Sequence, residues 1–416
     1  MNETDADHDS RAAWAAAFAA LAILTIAHGA PMISAVALKP IAADLGTSRA
    51  APSAAGALTY AGAAAGGIVS GLLTRRWSIR AIVMFGGVML GSGLLLSASG
   101  GLLELQIGHG VFVGLLGASC MLAPLVTYVS FLFVRRRGAA IALVSSGQSL
   151  AGAIWPVLLA TGVEQAGWRT TMVAYAAAAV VAIVALAVLF LRPPPAGRGA
   201  SAAPAADRDM RSVAGLSPNA AMTVLMLAVF CCCVPMNMPL QHIVAFCGDI
   251  GLPGREGAAM LSTLLAGALI ARQFWGWIAD RIGGLGAIAW SSAAQAVALA
   301  GLLATQDEAA LFAICAAFGF GLSGLLPAYV IAIREHFPPR EAAWRVPVVL
   351  FAGYIGMAAG GWGAGAVFDA LGHYLPAFAL GLAFNVANVV LIAWVVRRHG
   401  AQSGRERAAG RRPRVA

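Results

Sequence analysis

The chain has 416 residues, of which 60% are hydrophobic and 11% charged, and its mean hydropathy is +0.81. Soluble domains carry about a quarter of their residues as Asp, Glu, Lys and Arg, so this composition excludes a soluble enzyme or a water-exposed binding module and requires a chain solvated largely by lipid. The net charge of +9 needs a topological explanation, because no nucleic-acid recognition fold accompanies it.

Apolar runs of about 20 residues, enough for a helix to cross about 30 Å of hydrocarbon, recur along the whole chain. Strands of a membrane barrel would instead alternate weakly over about 10 residues. Twelve helical spans are predicted. The first six lie at 13 to 37, 54 to 74, 80 to 98, 104 to 131, 138 to 162 and 170 to 191. The second six lie at 219 to 247, 257 to 279, 284 to 304, 309 to 333, 346 to 367 and 374 to 396. The fold class is therefore all-α integral membrane, two pseudo-symmetric bundles of six helices. Residues 1 to 12 form an N-terminal tail, 13 to 191 the first bundle, 192 to 218 a linker rich in Pro, Ala and Gly, 219 to 396 the second bundle, and 397 to 416 a basic tail.

Short cytoplasmic loops collect Lys and Arg. With both termini cytoplasmic, the segments on that side hold 22 of the 27 basic residues, and the outer loops hold Lys39, Arg49, Arg169 and Arg255. That assignment explains the charge and predicts a multi-pass protein of the plasma membrane. The Ala, Gly and Arg content points to a bacterial inner membrane, with the basic tail against anionic lipid. The acidic start "MNETDADHDS" lacks the basic region and cleavage site of a signal peptide and reads as a disordered tail. The six cysteines, Cys120, Cys231 to Cys233, Cys247 and Cys315, fall in or at the edges of spans and read as small apolar residues. No metal-ligand spacing, P-loop or nucleophile elbow occurs, so neither a metal, a cofactor nor an enzymatic activity is expected.

One basic residue remains. Arg272 stands inside the eighth span, in "LAGALIARQFWGWIADRIGG", where a guanidinium costs about 2.5–3.5 kcal/mol on the insertion scale. It could snorkel to the cytoplasmic side, yet Asp280 is eight residues further, about 12 Å of helix. The alternative is a substrate pathway, which intramembrane charges commonly mark. No acidic residue lies near the middle of any span, so an anion or water must reach Arg272.

His28, His109 and His242 also lie within spans and could carry a proton, since an ordinary histidine titrates near pH 6.5. A histidine satisfied by one hydrogen bond inside a bundle is the plain alternative for each. His242 follows "VPMNMPLQ", where Pro235 and Pro239 should interrupt the helix and free carbonyls. Asn237, Tyr60, Tyr329 and Tyr354 sit at comparable depth and could donate to a carboxylate, or simply bond a neighbouring helix.

After the eighth span comes "GWIADRIGG", with Gly276, Asp280, Arg281 and Gly283. In the corresponding place after the second comes "GLLTRRWSIR", with Gly71, Arg75, Arg76 and Arg80. The first resembles the G-x-x-x-D-R-x-G-(G/R) loop of the major facilitator superfamily, and the second a degraded copy with Arg75 in place of Asp. Such a loop can cap a helix and pair with arginines across the cytoplasmic face, gating the two halves, or it can be a charged turn that only fixes topology.

Further stretches, "HGAPMISAVALKPIAADLGTSRA", "RRRGAAIAL", "GWRTTMVAYA", "QHIVAFCGDIGL", "ARQFWGWIADR" and "GAVFDALGHY" in this order, are similar to the monocarboxylate transporter and oxalate/formate antiporter branch. The resemblance covers 12 to 396. It implies a secondary transporter by alternating access, with Arg272 as a bidentate clamp on the carboxylate of a small organic anion, a proton as the second partner, and no nucleic acid. The aspartate and the first-span lysine of many relatives are replaced here by Ala268 and Met32. Proton coupling would then fall to a histidine or to the substrate's own carboxyl. Proton-independent exchange and efflux of another small molecule remain as alternatives.

Overall fold

A computed structural model describes residues 10–74, 76–192 and 216–410. They fold into an all-helical membrane protein. Nine stretches are long and apolar enough to span a bilayer. Two of these are each a pair of spans: Arg137–Phe190 turns at Gly167 (φ 80°) and Gly254–Ala304 at Gly283 (φ 76°). Positive φ is open to glycine without strain, so the chain turns at one residue where the sequence predicts short loops. With Ala50–Leu73 as the second span, the described residues give twelve.

Helix starts follow capping chemistry. Ser10, Ser78, Ser217 and Asp307 each accept from a backbone N–H three residues on, opening the first, third, seventh and tenth spans. An even number of spans returns both ends to one side, here called the terminal face. The opposite side is the far face.

Two spans depart from the reading of the sequence. The seventh, Pro218–Asp249, runs as one 32-residue helix through Pro235 and Pro239 and is not interrupted. Each proline deletes only one N–H donor, and packing on neighbouring spans holds the helix. The fourth is composite: Leu102–Ile107, a π-helix Gly108–Gly117, a 3₁₀ turn Ala118–Cys120, then Leu122–Leu132. Its glycines let helices approach closely. A Cβ on Gly62 of the second span would lie 2.1 Å from the Gly110 carbonyl oxygen, and one on Gly114 would lie 2.5 Å from that of Thr59. The six cysteines are free.

The halves meet along two seams. At one, the second span faces the eleventh (Pro339–Leu371): Tyr60 and Tyr354 stack with centroids 6.5 Å apart, and a Cβ on Gly365 would lie 2.6 Å from Ser53 Oγ. At the other, the fifth faces the eighth: a Cβ on Gly152 would lie 2.1 Å from Leu265 Cδ1.

Candidate functional site

Arg272 projects at the second of these seams. From Gly254 to Arg272 is about 27 Å of helix and from Arg272 to the bend at Gly283 about 16 Å, which places it on the terminal side of the middle. Its Nη1 donates to the Ser145 carbonyl in the other half at 3.4 Å, a long contact. Its Nε is enclosed without a partner, and among the described residues it forms no ion pair. Trp275, three residues on, donates from Nε1 to the Phe320 carbonyl at 2.7 Å and fixes this stretch against the tenth span.

The first seam gathers the seventh-span candidates. Asn237 Nδ2 donates to the Met357 carbonyl at 2.8 Å, and its Oδ1 is enclosed without a partner. One turn later Gln241, which sequence reading passed over, is buried with its Nε2 unpartnered; its amide fills the space at Gly56 of the second span. The signal was its spacing of four from Asn237, which puts both amides on one helix face. His242 is fully buried with both ring nitrogens engaged: Nε2 at 2.7 Å from the Gly361 carbonyl and Nδ1 at 3.0 Å from the Tyr374 hydroxyl. A carbonyl only accepts, so Nε2 carries the hydrogen and Nδ1 accepts from Tyr374. Tyr60 and Tyr354, both half-buried, complete this group.

The remaining candidates lie apart from it. Tyr329 is buried inside the second half, its hydroxyl donating to Asn388 Oδ1 at 2.9 Å, and Asn388 donates in turn to Ser292 Oγ at 2.6 Å. His109, in the π-helix, packs within the first half with Nδ1 between Ser97 Oγ (2.9 Å) and the Leu105 carbonyl (3.1 Å), and its Nε2 is enclosed and unpartnered. His28, half-buried on the first span, donates from Nδ1 to the Leu24 carbonyl at 2.9 Å. That span carries Pro31, and Trp155 Nε1 and the Tyr175 hydroxyl donate to its Thr25 and Ile26 carbonyls at 2.7 and 2.5 Å.

On the terminal face, Asp280 is exposed and forms no ion pair among the described residues; Arg281 stacks 3.7 Å over the Trp277 ring. The carboxylate at this turn belongs to Glu335, whose Oε2 accepts from the Gly284 N–H at 2.9 Å beside Gly283. Gly276 faces open space. In the N-terminal counterpart Gly71 lies in the last turn of the second span, Arg76 is exposed, and Arg80 Nε donates to the Leu191 carbonyl at 3.1 Å. Arg75 lies outside the described residues.

The far face carries a cluster that sequence reading did not single out. Asp249, ending the seventh span, pairs with Lys39 at 3.0 Å and with both terminal nitrogens of Arg49. Asp369, near the end of the eleventh span, accepts from the backbone N–H of Arg49 and of Ala50, each at 2.8 Å. Burial lowers the Arg49 pKa, but hydrogen bonds to Asp249 and Tyr374 outweigh it and the net shift is upward. Every one of these contacts joins one half to the other, so the far face is latched shut. Within the first half, Arg169 binds Asp44 (3.0 Å) and the Ala98 and Gly100 carbonyls (2.8 Å each), which gives "GWRTT" its role as a staple.

The family model described as Major Facilitator Superfamily matches this chain over residues 14–306 and 225–416. The chain belongs to that superfamily. Among curated members it is 26% identical over 381 residues to monocarboxylate transporter 11 of Mus musculus, covering 88% of this chain and 78% of the mouse protein. It is 28% identical over 220 residues to the agnestins efflux protein AgnL12 of Paecilomyces divaricatus, covering 52% of this chain and about half (48%) of that protein's length. A solved D-xylose-proton symporter superposes with a TM-score of 0.72 at 13% identity, over 91% of this chain and 97% of that one, which shows the shared fold. The described residues accordingly form a multi-pass membrane protein of that superfamily.

Proposed function

We propose that this facilitator carries a small organic anion, a monocarboxylate, across the plasma membrane by alternating access, with both termini cytoplasmic and Arg272 clamping the carboxylate. The observation that carries this reading is a guanidinium at the seam between the halves with an enclosed Nε and no carboxylate partner among the described residues. A cation enclosed in this way is costly unless something anionic or wet meets it, and a planar fork suits a carboxylate. A curated relative named as a monocarboxylate transporter supports the class. A proton would travel with the anion, with His242, His28 and His109 as its candidate carriers and Asn237, Tyr60, Tyr354 and Tyr329 as further candidate substrate contacts.

Arg272→Ala should abolish saturable uptake of the cargo into cells or vesicles while leaving membrane expression intact. Undiminished uptake removes the clamp. A second reading, efflux of another small molecule, draws on the relative named as an efflux protein. Transport measured in both directions across vesicles, with and without an imposed proton gradient, separates symport, exchange and efflux.

A further inference from the structure

His242 stands seven residues before Asp249, about 10 Å along the same helix. Three elements of the second half hold Arg49 of the first: Asp249 on the seventh span, Phe368 and Asp369 on the eleventh, and Tyr374 at the start of the twelfth. The Arg49 guanidinium carbon lies 3.7 Å from the Phe368 ring centre and 5.4 Å from that of Tyr374. Tyr374 is buried, and its hydroxyl donates to His242 Nδ1. The ring that packs against the latch arginine is thus the ring that reads the state of the histidine.

A neutral His242 has one N–H and one lone pair, and both are in use. An arriving proton has only Nδ1 to occupy, the atom that now accepts from Tyr374. The Tyr374 hydroxyl must then turn to accept from Nδ1–H, and a positive charge appears behind the aromatic ring against which Arg49 lies. The charged and titratable groups facing this point are Asp249 on its own span, Asp369 on the eleventh, Tyr374 with His373 beside it on the twelfth, and Arg49 and Lys39 from the first half. The two cations and two carboxylates of that set balance; an imidazolium at 242 leaves the cluster one positive charge in excess, and repulsion falls on Arg49. A cavity of about 280 Å³ lined by Lys39, Glu164, Val244 and Gly248 lies beside the latch.

We propose that His242 is the proton sensor of the far face: its protonation, transmitted through Tyr374, releases Arg49 from Asp249 and Asp369 and opens the path between the halves. The inference rests on the alternating-access reading above and gives one of its proton candidates a location and a task, at the latch and not on the cargo.

The test reads the far face directly. Spin labels at Q165C and Q306C, exposed positions on the far face of the first and second halves, report the separation of the halves in the full chain in lipid nanodiscs, with the protein lacking these two cysteines as background. Between about pH 8 and about pH 4, a range wide enough to protonate a histidine buried away from water, the parent should gain a longer-distance population. H242Q, which can donate to Gly361 and accept from Tyr374 like neutral histidine, should stay short at both pH values. Y374F should lose most of the response with the histidine still present, and R49Q should be long at both. A parent that does not lengthen in acid, or a Y374F or H242Q protein that lengthens as fully as the parent, overturns the proposal; if H242Q does not fold, Y374F alone decides. The measurement needs no substrate, so a failed anion clamp, read by Arg272→Ala uptake, is a separate result.

Discussion

Arg49 of the first half and Asp249 of the second share a two-pronged hydrogen-bonded ion pair, and it shuts the far face of the molecule. Their side chains are only 16% and 24% exposed, so the pair is better shielded than a surface salt bridge, and Lys39 adds a second cation to the same carboxylate. D249N should leave Lys39 and Arg49, two neighbouring cations of the first half, without their carboxylate across the seam and cost the closed state about 1–3 kcal/mol, roughly a 5- to 150-fold shift toward far-face opening. Labelling of a cysteine placed in the seam by a membrane-impermeant maleimide measures that shift. Unchanged labelling would show that packing, not charge, holds the face.

The nature of the Arg272 interaction is tested by keeping its charge. R272K retains one positive charge but loses the planar fork, and lysine's shorter reach and point charge offer a carboxylate no bidentate match. If the clamp is bidentate, R272K should raise the apparent KM for uptake by about 10- to 100-fold, the equivalent of about 1.5–3 kcal/mol. An unchanged KM with lower maximal rate would place the arginine in the conformational change instead of in binding.

Much of this architecture is legible in sequence for a simple physical reason: a span must bury about 20 apolar residues, and nothing else in the chain imitates that signal. Arg272 is legible on the same ground, as a charge where charges are costly. The far-face latch is not. Lys39, Arg49, Asp249 and Asp369 sit at span ends, where charge is ordinary, and only the fold reveals that residues 200 and 320 positions apart meet there. Gln241 hides for another reason, since an uncharged amide inside a span has many bland uses. The long π-helix of the fourth span has no sequence signal beyond its glycines, which are equally common in close-packed α-helices.

Those glycines make a sharp contrast with others. Gly62 packs so near the π-helix that a Cβ would fall 2.1 Å from the Gly110 carbonyl oxygen, whereas a Cβ on Gly276 meets nothing within 4 Å. Both lie in helices. G62A must push the second span off the fourth, and backbone gives way less readily than side chain, so a loss of about 1–3 kcal/mol is expected. G276A should be neutral or slightly stabilising, by up to about 1 kcal/mol, because alanine restricts the unfolded chain. Thermal unfolding in one detergent, followed by tryptophan fluorescence, should lower Tm for the first and hold or raise it for the second.

At the turn after the eighth span two carboxylates are available, and the structure employs the one outside the sequence motif. Glu335 Oε2 accepts the Gly284 N–H at 2.9 Å, an otherwise orphan donor at the start of the ninth span, while Asp280 is exposed and has no ion pair among the described residues. Loss of a side-chain cap costs about 0.5–2 kcal/mol. E335A should therefore lower the melting temperature of the far-face-closed protein, whereas D280N should leave it within about 0.5 kcal/mol of the parent, as for a surface substitution. If Asp280 instead latches the terminal face after the halves rock, D280N should slow transport with no loss of stability in this state. Equal destabilisation by both substitutions would mean that Asp280 already bears on this turn.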